Sequence, residues 1–440
     1  MLEPARDSQP LPIPVRTLPL LLLFLAVGSV TLIFTLSTVN NHSAAALQMN
    51  GGAARQHFAI RYWIEHGYFR SAGLGVRGTT DKPYLYGSAT GGSHISGFVV
   101  AKLYSAVTGR DSWRLLALHN QFVLLLASSL IGLLAFRLAM RAGTPRFHAF
   151  VLGASAQIAH FTFPDNLDVV WEITGRVWWL TFATIFLLLE ERALENRSRA
   201  LMVAEVVSVF LLTYMEYVAG AAFIASYAAI TLMLHSDRLV ARRLLRSCVL
   251  PALLAIGVFA GQLTLAHVMR PDMPTDGSTF LFRTGLDGST QYYKDHRDIA
   301  AGRDLARANW PENSRANLFQ WQWLFLAGAT AVLTIMVAAT RNLIPPIAVI
   351  AVVSLLGAYV LYAALFSQAV VIHPYLYDVM LVVPLSLALF VVAPAFLESL
   401  ASQKGIVVVL VFFLALWVSM VNLRDYAVRN PVKVSELSGR

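Results

Sequence analysis

Cysteine is almost absent from this chain. Its 440 residues include one, Cys248, so no intrachain disulfide can close and no thiolate cluster is available to a metal. Charge is scarce as well: Asp, Glu, Lys and Arg make up 13% of residues, against roughly 25% in a soluble domain. That shortage excludes a soluble enzyme and a disordered chain. Apolar length takes its place. Hydrophobic residues reach 57%, mean hydropathy is +0.61, and several apolar runs approach the roughly 20 residues a helix needs to cross about 30 Å of hydrocarbon. The pattern is that of an all-α polytopic membrane protein.

Lys and Arg outnumber Asp and Glu by 34 to 25. The excess gathers in short segments between apolar runs, at Arg137, Arg141 and Arg146, at Arg192, Arg197 and Arg199, and at Arg238, Arg242, Arg243 and Arg246. Such placement marks cytoplasmic loops and not a nucleic-acid surface. The spans expected from the runs are 18–39, 113–139, 147–163, 174–190, 202–216, 217–234, 247–269, 321–340, 343–366, 376–398 and 405–423, about eleven in all. With the N-terminus inside, all three basic clusters, Arg341 and Lys404 fall on the cytoplasmic side. The first run has no small-residue cleavage site behind it and is expected to stay as a span. The whole of 1–440 reads as one transmembrane domain, with 40–112 and 270–320 as large outer loops.

The stretch 202–234 would be about 50 Å long as one helix, which overshoots a bilayer. A break is expected near Thr213, Tyr214, Met215, Glu216 and Tyr217, where a carboxylate is cheapest at an interface or a wet cavity. In the first outer loop, residues 56–68 read as an amphipathic surface helix ending at Gly67, and 96–107 as a second ending at Gly109. The glycine-rich 70–97 between them suits tight turns, as a ligand-binding or a flexible loop.

Candidate chemistry lies at the outer ends of the spans. Asp165, Asp168 and Glu172 follow Pro164, and residues 168, 172 and Arg176 share one helical face at four-residue spacing. Glu216 sits between two apolar halves and needs a partner, water or a cavity. His373, Tyr375, Tyr377 and Asp378 cluster where the tenth span begins. His57, with an ordinary pKa of about 6.5, suits proton transfer. Arg55, Arg61, Lys82 and Lys102 are suited to a lipid phosphate. His57, His66 and His94 form no compact metal pattern, and no metal ligand is assigned.

Three stretches carry a resemblance: RQHFAIRYWIEHGYF at 55–69, YLYGSATGGSHISGFVVAKLYSAVTGRDSWRLLALHN at 84–120 and HPYLYDVMLVVPLSLALF at 373–390. Together with the order of loops, they resemble the GT-C superfamily of polytopic membrane glycosyltransferases, which includes protein mannosyltransferases and the lipid A aminoarabinose transferase. The resemblance implies an inverting transferase in the bacterial inner membrane that moves a sugar from a polyprenyl-phosphate donor to a cell-envelope glycan or lipid at the periplasmic face. It implies a donor-phosphate or sugar site among Arg176, Glu172, Arg55, Arg61, Lys82, His94, His373, Tyr375, Tyr377 and Asp378, and it leaves a divalent cation open.

It also implies a carboxylate base before the first surface helix. This chain departs there, having Ala54, Arg55, Gln56 and His57 and no acid between Thr38 and Arg61. His57 can replace that base, or Glu216, Asp165 or Asp168 can enter the cavity from another element. The alternatives are a catalytically inactive GT-C-like binding or scaffold protein and a transporter or flippase of lipid-linked saccharide, whose acids would hold cargo without bond chemistry.

Overall fold

Apolar runs of this length must satisfy their backbone polar groups internally in hydrocarbon, and here they do so as helices. A computed structural model describes residues 17–38, 51–79, 82–90, 92–109, 113–163, 175–195, 198–235, 237–273, 344–365, 375–395 and 404–429. In order these form α1 (Thr17–Thr38), α2 (Gly51–His66), a 3-10 turn (Tyr68–Ser71), β1 (Leu74–Thr79), β2 (Lys82–Thr90), α3 (Gly92–Thr108), α4 (Trp113–Arg141), α5 (Arg146–Phe161) and α6 (Gly175–Ala193). Then come α7 (Arg199–Met215), α8 (Tyr217–Leu234), α9 (Arg238–Met269), α10 (Pro346–Leu365), α11 (Tyr375–Leu387, running on through a π turn at Ala388–Val392) and α12 (Lys404–Arg429). Leu118–Arg141, Tyr217–Leu234 and Arg238–Met269 are long and apolar enough to cross a membrane by length and composition. The run 321–340 lies outside the described residues.

The stretch 202–234 is divided where the isolated carboxylate predicts. Glu216 leaves the helical region, with φ −147° and ψ 90°, and the chain reverses tightly. A Cβ on Gly220 would stand 2.5 Å from the Cα of Thr213, so only a bare backbone lets α8 lie against the end of α7.

Two ends of the bundle follow from side-chain contacts. At one, Tyr362 near the end of α10 donates to Glu216 Oε1 at 3.4 Å, and Gln262 of α9 donates its amide to the Tyr214 oxygen at 2.8 Å. At the other, Arg192 of α6 donates to Thr17 at the start of α1 at 3.4 Å, and the ends of α4 and α6 meet through charge. There Glu191 accepts from Arg137 Nε and Arg141 Nε, both at 2.7 Å, and Glu195 accepts from Arg141 Nη2 at 2.8 Å. Glu190 takes Tyr227 of α8 at 2.7 Å and pairs with Arg243 of α9.

Helix α4 is buried nearly all round and forms the axis of the core. It crosses α5 at Gly132 and Gly153, where a Cβ on Gly153 would meet the carbonyl oxygen of Gly132 at 2.6 Å. Such close approach suits helices that gain no hydrophobic drive from one another in lipid. Gln157 of α5 ties in α1 by donating to the Phe24 carbonyl at 2.7 Å.

The glycine-rich outer segment is not loop throughout. Strands β1 and β2 pair antiparallel, Thr79 opposite Lys82 and Val76 opposite Leu85, with an irregularity between Leu74 and Gly75. This corrects the reading of 70–97 as turns and of the chain as purely helical. The signal is a short alternation: Leu74 and Val76, two apart, are both fully buried, as is Leu85 across from them.

Candidate functional site

The hairpin and α2 build a small second core on the end of the bundle. Tyr62, Trp63, Ala72, Leu74, Val76 and Leu85 cluster with Phe259 and Ala266 of α9 and Met273 in the turn after it. Trp63 anchors it, donating its indole N–H to the Ser71 hydroxyl at 2.9 Å and the Leu74 carbonyl at 3.2 Å. Gly67, at φ +90°, ends α2. Gly73, at φ +75°, lies so close to the Tyr68 ring that a Cβ would stand 2.5 Å from its hydroxyl. Burial first, and Tyr214 second, push the Tyr68 phenol above its ordinary pKa.

Helix α2 separates two polar environments. Inward, Gln56 and Asn120 exchange amide hydrogen bonds, Asn120 donating at 2.9 Å, and His57 is buried beside them in sequence. Outward, Phe58, Arg61, Tyr62, Glu65, His66, Arg70, Met269 and Arg270 line a cleft of about 650 Å³. The rings of Tyr62 and His66 stack at 4.3 Å along it. Arg61 donates to Glu65 at 2.7 Å, an exposed pair of little energetic weight. Arg270 donates to the Tyr62 oxygen at 2.5 Å and to Asp272 at 2.6 and 2.9 Å. Those bonds, Asp272 before Tyr62, hold the guanidinium firmly cationic and keep the Asp272 carboxyl below its ordinary range. Arg70 forms no ion pair among the described residues. Below the cleft, α9 exposes Leu265, Val268 and Met269.

Glu216 lies on the other side of the aromatic core. The residue after it, Tyr217, stacks on Phe259 at 4.9 Å, and Phe259 shares a cluster with Tyr62 of the cleft wall. The carboxylate is buried and accepts the Tyr362 phenol.

Of the other sequence candidates, His94 is half-buried on α3 with its ring 6.4 Å from Trp63. Arg55 lies on α2, Lys82 at the start of β2, Arg176 at the start of α6, and Tyr375, Tyr377 and Asp378 in the first turn of α11. Asp165, Asp168, Glu172 and His373 lie outside the described residues. The structure thus sets Arg61 in the cleft and buries His57 on the same helix, and it adds Glu65, His66, Arg70 and Arg270, to which sequence reasoning gave no role. Glu65 and Arg61 stood four apart on a helix, a legible pair. Arg270 meets Tyr62 only through the fold. Among the described residues, no three His, Cys, Asp or Glu side chains group closely enough to hold a metal.

No protein-family model and no curated protein matches the chain. Among solved structures, the chain is similar to the crystal structure of ArnT from Cupriavidus metallidurans in the apo state, at 14% identity and a TM-score of 0.37, over 85% of this chain and 77% of that one. At these values the likeness assigns neither family nor activity.

Proposed function

We propose that this chain is an inverting glycosyltransferase of GT-C type. It transfers a sugar from a polyprenyl-phosphate donor to a cell-envelope glycan or lipid at the outer, periplasmic face of the bacterial inner membrane. The observation that carries this reading is the cleft where α2 meets the end of α9: Arg61, Arg70 and Arg270 line it together with Met269, and Val268 and Leu265 on the adjoining turns of α9 are exposed. Guanidiniums beside exposed apolar residues fit an amphiphile whose anionic head is a phosphate, and Tyr62 with His66 offers a stacked wall for a sugar ring.

In the reaction, a carboxylate takes the proton of an acceptor hydroxyl, and the freed oxygen attacks the anomeric carbon. The bond from that carbon to the phosphate oxygen breaks, and the phosphate leaves with the electron pair, its charge offset by the arginines. Glu65, which lines the cleft with the arginines, is the base in this reading. Glu216, buried across the aromatic core, is the competing carboxylate.

The reading takes 1–440 as one membrane domain of about eleven spans, with the loops 40–112 and 270–320 outside. The apolar run 321–340 is taken as one of those spans.

The test is turnover of a panel of polyprenyl-phosphate sugars by the purified full chain, with Glu216→Gln, Glu65→Gln, Arg270→Gln, Asp165→Asn, Asp168→Asn and His57→Ala alongside. Glu65→Gln is expected to lower kcat by roughly 10²–10⁴-fold, and Arg270→Gln to raise KM. Wild-type turnover in Glu65→Gln, with loss in Glu216→Gln, moves the base to Glu216. Movement of lipid-linked saccharide across vesicles with no sugar transfer favours the transporter.

A further inference from the structure

Four arginines fall within 238–246, and the fold treats them differently. Arg243 turns inward and pairs with Glu190, which also takes the Tyr227 phenol. Arg238, Arg242 and Arg246 are exposed and form no ion pair among the described residues. They stand four residues apart on α9. Four residues overshoot a 3.6-residue turn by about 40°, and the wider π turn at Leu245–Val249 reduces that drift, so the three guanidiniums run in a row. The adjacent acid, Asp237, uses Oδ1 to cap the helix at the Leu239 N–H, at 3.0 Å. Three like charges in line repel one another unless something negative lies against them.

What adjoins the row is apolar. Leu239, Leu245, Leu250, Leu253 and Leu254 on the same helix are each more than half exposed. A diffusible anion would gain nothing from that surface, whereas a lipid would use both parts.

We propose that the start of α9 is a headgroup site for an anionic phospholipid of the leaflet opposite the cleft. Its phosphate rests on Arg238, Arg242 and Arg246, and its acyl chains lie along Leu250, Leu253 and Leu254. The site is independent of sugar transfer, being at the other end of the bundle from Glu216.

Native mass spectrometry of the full chain in detergent tests this, with cardiolipin and phosphatidylglycerol as probes, phosphatidylcholine as the neutral comparison and inorganic phosphate as competitor. Anionic lipids are expected to bind in preference to phosphatidylcholine and to resist excess inorganic phosphate. The triple change Arg238→Gln, Arg242→Gln, Arg246→Gln is expected to weaken them roughly a hundredfold, at about fivefold per arginine. The triple Lys variant keeps the charge and should retain most of the binding, which guards against a folding defect in the Gln variant. Equal retention of phosphatidylcholine, displacement by inorganic phosphate, or unchanged binding in the Gln variant would each overturn the site. Sugar-transfer turnover in the same Gln variant is expected to persist, so failure here leaves the proposed reaction standing.

Discussion

Removing the charge of Glu191 tests the logic of the inner network. Its carboxylate accepts Arg137 Nε and Arg141 Nε, each at 2.7 Å, and the side chains of Arg137 and Glu191 are 4% and 1% exposed. In Glu191→Gln, Arg137 keeps only Glu195 at 3.3 Å and stays buried with its charge largely uncompensated, a loss of about 3–5 kcal/mol. Glu195 is 28% exposed, so solvent screens it and Glu195→Gln should cost no more than about 1 kcal/mol. The double change Arg137→Met, Glu191→Met removes both buried charges and should recover most of the loss, since well-packed apolar residues often equal or exceed a buried pair. Reversible denaturant unfolding in a fixed detergent provides the assay. The reasoning fails if Glu191→Gln costs no more than Glu195→Gln, or if the double variant is no better than Glu191→Gln alone.

Other expectations follow from backbone and charge. Gly153→Ala places a methyl 2.6 Å from the Gly132 carbonyl, and the forced separation of α4 and α5 should cost about 1–3 kcal/mol in the same unfolding assay. Gly73→Ala and Gly67→Ala both put a side chain at positive φ, but only Gly73 also meets Tyr68; limited proteolysis of the hairpin should therefore be faster in Gly73→Ala. The depressed Asp272 carboxyl contributes stability that is present above the ordinary carboxylate range and lost as pH falls through its lowered value. In Arg270→Gln, a carbon-detected titration assigned with Asp272→Asn should show that carboxyl return to about 3.9.

Local chemistry alone determined the apolar helices, their ends at Gly67 and Gly109, and the break at Glu216. In each case one residue decides its own backbone: a glycine that accepts positive φ, or a carboxylate too costly to carry through hydrocarbon. The strands at 74–79 and 82–90 escaped because glycines interrupt an alternation only a few residues long, and what holds them is contact with Trp63 and the end of α9. Partnership between charges could not be read from spacing either. Arg243 belongs to the same basic cluster as Arg238, Arg242 and Arg246, and Arg137 and Arg141 to another, yet Arg137, Arg141 and Arg243 are all bound by acids of α6 some fifty residues away in sequence. Tyr62 meets Arg270 across 208 residues. Composition fixes how much charge a membrane chain carries and near which face it lies; the packing of one helix on another decides which charges are neutralised and which are left for a ligand.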